Sequence, residues 1–350
     1  MCTRVLWTGE INGKLYPICG RNMDWGANTA EKLWVFPAGL KRQSAVDYLD
    51  GDGKTQRLAW ISKYGSIVLS MYDQAVADGM NTEGLAIHCN WLTESYYGER
   101  DPKKPGLDCD RVVSYFLDNF ATVSEVVEYL RDNEDLQIVP TTINVGDILP
   151  EREIKNHMAI EDAQGESAII ESIDDGNGGV KRNIYYSGDI PNYSIEYNVL
   201  SNSPIFEKQL CNLKQYKGFG GDLHLPGTSD SADRFVRAAF YLKSLPEPKN
   251  HHEAIAGVLS VMRSVAQPFR VPESNQPYAS STQWRTIVSC KEKLYLYESS
   301  FYPTLIWLEA NKLDFSEGSH IRVFDLTQNQ QAIGDVSGQL RRSEEDLFKN

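Results

Sequence analysis

The sequence predicts an α+β layered domain, with antiparallel sheets covered by helices. Three observations carry that expectation. Strand-like segments come in blocks joined by tight turns, and helical segments come in blocks of two or three. The strands do not alternate with helices, so βαβ units and a doubly wound parallel sheet are disfavoured. The chain of 350 residues, 41% of them hydrophobic, is long enough to bury a large core. We expect one domain over residues 2–335 and a Gln-rich, then charged, surface tail or edge cover over 336–350.

Residues 2–9 read as a strand, Glu10–Gly13 as a turn and Lys14–Gly20 as the returning strand, because Asn12-Gly13 favours a tight hairpin. Antiparallel return brings the 20–25 segment back beside residue 2. Residues 34–54 read as an irregular excursion ending in Asp50-Gly51-Asp52-Gly53. Lys54 stands at the next ligand position of a calcium loop and no downstream Glu completes one, so a turn is expected there. Strands are expected at 57–63, 66–72 and 84–91.

A helix over 107–120 follows from Val112, Val113, Phe116, Leu117 and Phe120 at helical spacing. Thr122-x-x-Glu125 is a capping box opening the next helix through Val126, Val127 and Leu130. Residues 141–187 return to strands, and helices are expected at 204–214, 231–245 and 252–266. The closing strands are expected at 282–290, 293–299, 303–309 and 320–326.

Composition removes several function classes. A formal charge of −13 without a Lys/Arg stripe disfavours a nucleic-acid partner. No apolar run approaches the ~20 residues of a membrane span. Six scattered cysteines without CxxC suit reduced thiols better than a disulfide framework. The six histidines form no HExxH and pair with no cysteine at zinc spacing, so no metal or cofactor is expected. With Met1-Cys2 as the start and no leader ahead of it, the expected compartment is cytoplasmic, or periplasmic if Met1 stands in for a removed leader.

Chemistry is expected at Cys2. Removal of Met1 gives that residue a thiol and a free α-amine, a nucleophile and a base together. The amine titrates near ~7.7–8 and the thiol near ~8.5 in their ordinary states. The hairpin brings Arg21 and Asp24 close. Taken singly, Asn90 and Asn202 could be strand-end residues bonding the backbone, and Arg234 a salt-bridged helical arginine. A papain-like arrangement is disfavoured, since Cys2 begins a strand and Cys109 lies between Asp108 and Asp110. His88, inside an apolar strand, reads as a hydrogen-bonded core residue.

Five segments in register carry a resemblance. They are Cys2-Thr3-Arg4, Gly20-Arg21-Asn22-Met23-Asp24-Trp25, Asp78-Gly79-Met80-Asn81-x-x-Gly84-Leu85, Leu200-x-Asn202-Ser203-Pro204 and Ser231-Ala232-Asp233-Arg234-Phe235. Together they resemble the choloylglycine hydrolase family of bile salt hydrolases and penicillin V acylases, within the N-terminal-nucleophile hydrolases. The resemblance implies a four-layer αββα sandwich, a homotetramer, and a small-molecule amide as substrate. It implies Cys2 as nucleophile, with Arg21 and Asp24 beside it and Asn90, Asn202 and Arg234 around it. Arg21 would favour the thiolate, Asp24 would hold the ammonium or thiol, and Asn202 and Arg234 would fix the terminus. The Asn90 side-chain NH₂ would stabilise the oxyanion, an effect of about 3–4 kcal/mol in comparable sites. Met23, Trp25 and Trp91 would bind the acyl group, although the two tryptophans could equally sit in the core. The tryptophan pair favours the phenoxyacetyl group of penicillin V or an acyl-homoserine-lactone chain, with a conjugated bile acid next. A non-catalytic ligand-binding member of the fold is the alternative from another class.

Overall fold

A computed structural model of the chain describes residues 2–145, 152–271, 280–302 and 304–348. Met1, residues 146–151 of the expected 141–187 strand segment, and Pro303 at the expected start of a strand lie outside them. Eight strands open the chain: β1 Cys2–Ile11, β2 Lys14–Trp25, β3 Lys32–Phe36, β4 Lys41–Leu49, β5 Thr55–Ile61, β6 Ser66–Met71, β7 Ala75–Asn81 and β8 Ala86–Trp91. The β1–β2 turn places Asn12 and Gly13 at φ 53° and 71°, the left-handed backbone that Asn-Gly tolerates. The expected excursion at 34–54 is instead mostly strand, and β7 is a strand the sequence reading did not separate. Asp50 closes the β4–β5 turn by accepting from the Asp52 and Lys54 amides.

Among the described residues, one sheet has seven strands in the order 199–200, β1, β2, 281–289, 294–299, 305–309, 334–335. The other has nine, in the order 180–186, 167–174, 156–161, β8, β7, β6, β3, 322–325, 341–342. Their pairings are antiparallel, except where 305–309 meets 334–335 at an edge. Leu6, Cys19, Leu33, Leu69, Trp284 and Tyr295 belong to the core cluster formed where the two sheets face each other.

Helices cover both outer faces. On the nine-stranded sheet lie α1 (Val112–Asn119) and α2 (Val123–Asp132), packed on Val68, Ile87 and Met158. The Thr122 hydroxyl accepts from the Glu125 amide while the Glu125 carboxylate accepts from Ala121, closing the start of α2. On the seven-stranded sheet lie α3 (Phe206–Leu213), α4 (Ser231–Lys243) and α5 (His251–Ser264), packed on Val5, Ile18 and Ile287. The result is an αββα sandwich. At the carboxyl end, Leu347 and Phe348 are buried against the α1–α2 side. No helix among the described residues is long and apolar enough to cross a membrane.

Candidate active site

Strand alternation decides which side chains meet Cys2. Cys2 is paired with Met23 and Arg4 with Arg21 across the β1–β2 ladder. Cys2, Arg21 and Met23 therefore share the face turned toward the other sheet. Arg21 Nη2 lies 3.5 Å from Cys2 Sγ and donates to the Cys89 carbonyl at 2.6 Å. Its Nε donates to Asn90 Oδ1 at 3.3 Å. Burial disfavours the Arg21 cation, but the charges of Cys2 and Asp78 outweigh it and push its pKa above the ordinary value.

Asp24 is three residues from Arg21 in the same strand, so it points to the opposite, helix-covered face. There it accepts from the Thr282 hydroxyl at 2.5 Å and pairs with Arg234 at 3.4 Å. Arg234, fully buried in the first turn of α4, turns its guanidinium onto the start of the chain. It donates to the Cys2 carbonyl at 2.6 Å, to the Thr3 hydroxyl, and to Asn202 Oδ1 at 2.8 Å. Burial lowers its pKa, against the opposing pull of Asp24 and Cys2.

Asn202 Oδ1 also accepts from Cys2 N at 2.5 Å, the nitrogen that becomes the α-amine once Met1 is gone. Its Nδ2 donates to the Trp91 carbonyl at 2.7 Å, tying the terminus to the end of β8. Ser231 and Gln209 brace this corner through Asn202 N and the Asn202 carbonyl. The Asn90 Nδ2 hydrogens are directed at the Leu200 and Ser201 carbonyls, at 3.2 and 3.1 Å.

Cys2, Arg21, Met23, Trp25, Asn90 and Trp91 line a mainly apolar pocket, continued by Ala75, Ile143 and Ile154. The Trp25 and Trp91 ring centroids are 5.9 Å apart at 49°. Trp25 Nε1 donates to the Tyr72 hydroxyl at 2.9 Å, so its polar edge is satisfied and its face is left for apolar contact. A wider, polar groove between Tyr96–Lys104 and the 172–184 strands does not include Cys2.

The five side chains expected around Cys2 thus gather about it, Arg21, Asn202 and Arg234 by direct contact, Asn90 through Arg21 and Asp24 through Arg234. Sequence reasoning missed the buried supports Arg4, Asp78, Thr282, Tyr295 and Glu161. The available signal was polar residues at inward positions of apolar strands, which demand partners.

A nucleophile-type residue starting a strand, between two sheets each backed by helices, defines the N-terminal-nucleophile hydrolase class. The sequence profile of "Linear amide C-N hydrolases, choloylglycine hydrolase family" matches residues 2–324. The chain is 34% identical to the penicillin V acylase of Pectobacterium atrosepticum, over 97% of this chain and 90% of that protein. It is 22% identical to a bile salt hydrolase/transferase of Clostridium perfringens, over 87% and 92%. The solved penicillin V acylase of Agrobacterium tumefaciens superposes with a TM-score of 0.79 at 38% identity, covering 98% of both chains. The chain belongs to the choloylglycine hydrolase family, and is a hydrolase of linear amide C–N bonds.

Proposed function

We propose that this chain, once Met1 is removed, is an N-terminal cysteine acylase that releases a hydrophobic acyl group of the phenoxyacetyl type. The observation that carries the reading is the cavity wall, where Cys2 Sγ, Arg21, Met23, Trp25 and Trp91 meet. The two acylases similar to this chain, both named for penicillin V, support the acyl class.

In this mechanism the Cys2 thiol passes its proton to its own α-amine, and Arg21 holds the resulting thiolate. Sulfur attacks the amide carbonyl carbon, and the C=O electron pair moves onto oxygen. Collapse breaks the C–N bond as the ammonium protonates the leaving amine. A water then attacks the thioester, the α-amine takes its proton, and the acid leaves with the thiol restored. Asn202 and Arg234 fix the amine and the Cys2 carbonyl. Asn90 serves as oxyanion donor by exchanging one of its long bonds to Leu200 or Ser201 for the substrate oxygen. The resemblance also supports a homotetramer, which light scattering after gel filtration would test.

The deciding experiment compares release of 6-aminopenicillanic acid from penicillin V, of homoserine lactone from acyl-homoserine lactones, and of glycine or taurine from bile salts. Mass spectrometry confirms Met1 removal first, and Cys2→Ala is the control. Fastest release from penicillin V is expected. Faster turnover of a bile salt would overturn the acyl assignment, and full activity in Cys2→Ala would remove Cys2 as nucleophile.

A further inference from the structure

Beneath the site a row of fully buried charged side chains, four of them unused by the mechanism, runs up to Arg21. Arg4 pairs with Glu161. Glu161 Oε1 lies 2.8 Å from His88 Nε2, and His88 Nδ1 lies 2.6 Å from Asp78 Oδ2. Asp78 is in turn 3.7 Å from Arg21 Nη1, and Arg21 reaches the Cys2 thiol. Asp78 also accepts from the Tyr295 hydroxyl and from Thr286 at 3.3 Å.

We propose that His88 is a positioning residue for the nucleophile: as an imidazolium between Asp78 and Glu161, it engages the Asp78 carboxylate so that Arg21 keeps its charge for the Cys2 thiolate. This rests on the reading of Cys2 as the nucleophile.

The ring's surroundings favour the cation. His88 Nδ1 is hydrogen-bonded to Asp78 Oδ2 at 2.6 Å, while Glu161 Oε1 lies 2.8 Å from Nε2 off the N–H direction and Cys19 Sγ lies 3.2 Å from the same nitrogen. Two carboxylate oxygens within 3 Å of the ring stabilise its positive charge. Asp78 is within hydrogen-bond distance of His88 and beyond it from Arg21, so the histidine is its nearer charged partner.

Charge alternates along the row. Arg4, Glu161, His88, Asp78 and Arg21 run plus, minus, plus, minus, plus, so each buried carboxylate lies between two cations.

The groups facing His88 are Asp78 from β7, Glu161 from the 156–161 strand and Cys19 from β2, whose Sγ is 3.2 Å from Nε2. Burial works against the imidazolium, but these neighbours outweigh it and raise its pKa well above the ordinary value. Burial likewise opposes the Glu161 carboxylate, and Arg4 and His88 bring its pKa down to about 2. Cys19, His88 and Glu161 would also suit a metal by donor type, but Arg4 and Asp78 already engage this cluster.

The test is His88→Gln in Met1-processed protein. Alkylation of Cys2 by iodoacetamide is followed against pH through the mass of the amino-terminal peptide. Freed from His88, Asp78 should draw on Arg21, and the thiol midpoint should rise by about one unit. Alkylation below the midpoint then slows about tenfold, and kcat falls while KM holds. An unmoved midpoint would overturn the role. If the variant does not fold, nitrogen NMR of histidine-labelled wild-type protein decides: both ring nitrogens of His88 should stay protonated from about pH 6 to 8. A bare nitrogen there would overturn it. Loss of the Cys2 reading through an active Cys2→Ala would leave the protonation result intact, so the two failures are distinguishable.

Discussion

The proton-transfer reading is most sharply tested by Asn202→Asp, which changes charge with almost no change of shape. Asn202 Oδ1 accepts from Cys2 N at 2.5 Å and from Arg234 at 2.8 Å, and a carboxylate oxygen keeps both contacts. The lost contact is Nδ2 to the Trp91 carbonyl, at 2.7 Å. In the processed enzyme a full negative charge would then sit against the α-amine. An opposite charge at this range moves a pKa by ~1–3 units toward the charged form. Arg234 shares the same oxygen and absorbs part of that charge, so about 1.5 units is expected, or ~2 kcal/mol. The acidic limb of kcat/KM should move to higher pH by that amount. Activity near pH 7 should fall about thirtyfold and return near pH 9. The assay is amine release across about pH 5–10, on protein with Met1 removal verified and a thermal midpoint showing a folded chain. A loss that is equal at every pH would refute the α-amine as the proton acceptor.

Other perturbations probe separate parts of the molecule. Asn90→Ala should lower kcat by about 10²–10³ with little change in KM if its amide supports the oxyanion; a drop of less than tenfold would reduce Asn90 to a tether for Arg21 and the 200–201 backbone. Trp25→Ala and Trp91→Ala should each raise KM for an aryl-acyl amide, and a double-mutant cycle should return a coupling of about 0.5–1.5 kcal/mol for rings in contact. Additive effects would mean that the pair does not act as one surface. Asp118, buried and bonded by Arg42 and Trp60, has its pKa raised to about 6, chiefly by burial. Its folded value exceeds the unfolded ~3.9, so the folded chain binds more protons between those values, and stability rises as pH falls through that window. Asp118→Asn should therefore flatten the rise in thermal midpoint between about pH 6 and pH 4; parallel curves for variant and wild type would refute the assignment.

What could be read from sequence follows the range of the interactions concerned. The β1–β2 hairpin, the Thr122 cap and the α4 helix are written within short windows, as turn chemistry, a capping residue and apolar periodicity. The strand β7 was harder, because Gly79 and Asp78 interrupt its apolar pattern. Both are explained only by partners outside the strand itself: Asp78 by His88, Tyr295 and Thr286, and Gly79 by the Ile67 carbonyl, 2.9 Å from where a Cβ would lie. The site residues were legible through their motifs, yet their division between faces was legible from parity alone. Residues 21 and 24 differ by an odd number and must diverge. The sequence reading put Asp24 against the ammonium or thiol; among its contacts are Thr282 and Arg234, and Arg234 in turn holds the Cys2 carbonyl.

The same geometry explains why the nucleophile needs so much of the chain. A residue at the start of a strand is tethered from one side only, so its position has to be fixed by other segments. Cys2 is bonded through its nitrogen to a side chain 200 positions away and through its carbonyl to one 232 positions away. Its sulfur meets Arg21 and Met23 across the hairpin. Local order in β1 and β2 can place the thiol beside Arg21, but the amine gains its acceptor only when the 199–202 segment and α4 dock on the sheet. A chain in which the helical layer has opened would keep a folded hairpin and lose the hold on the base. Activity and the packing of α4 on β1 should therefore be lost together on denaturation, ahead of the inter-sheet core, because the catalytic groups on the two faces of β2 depend on different layers.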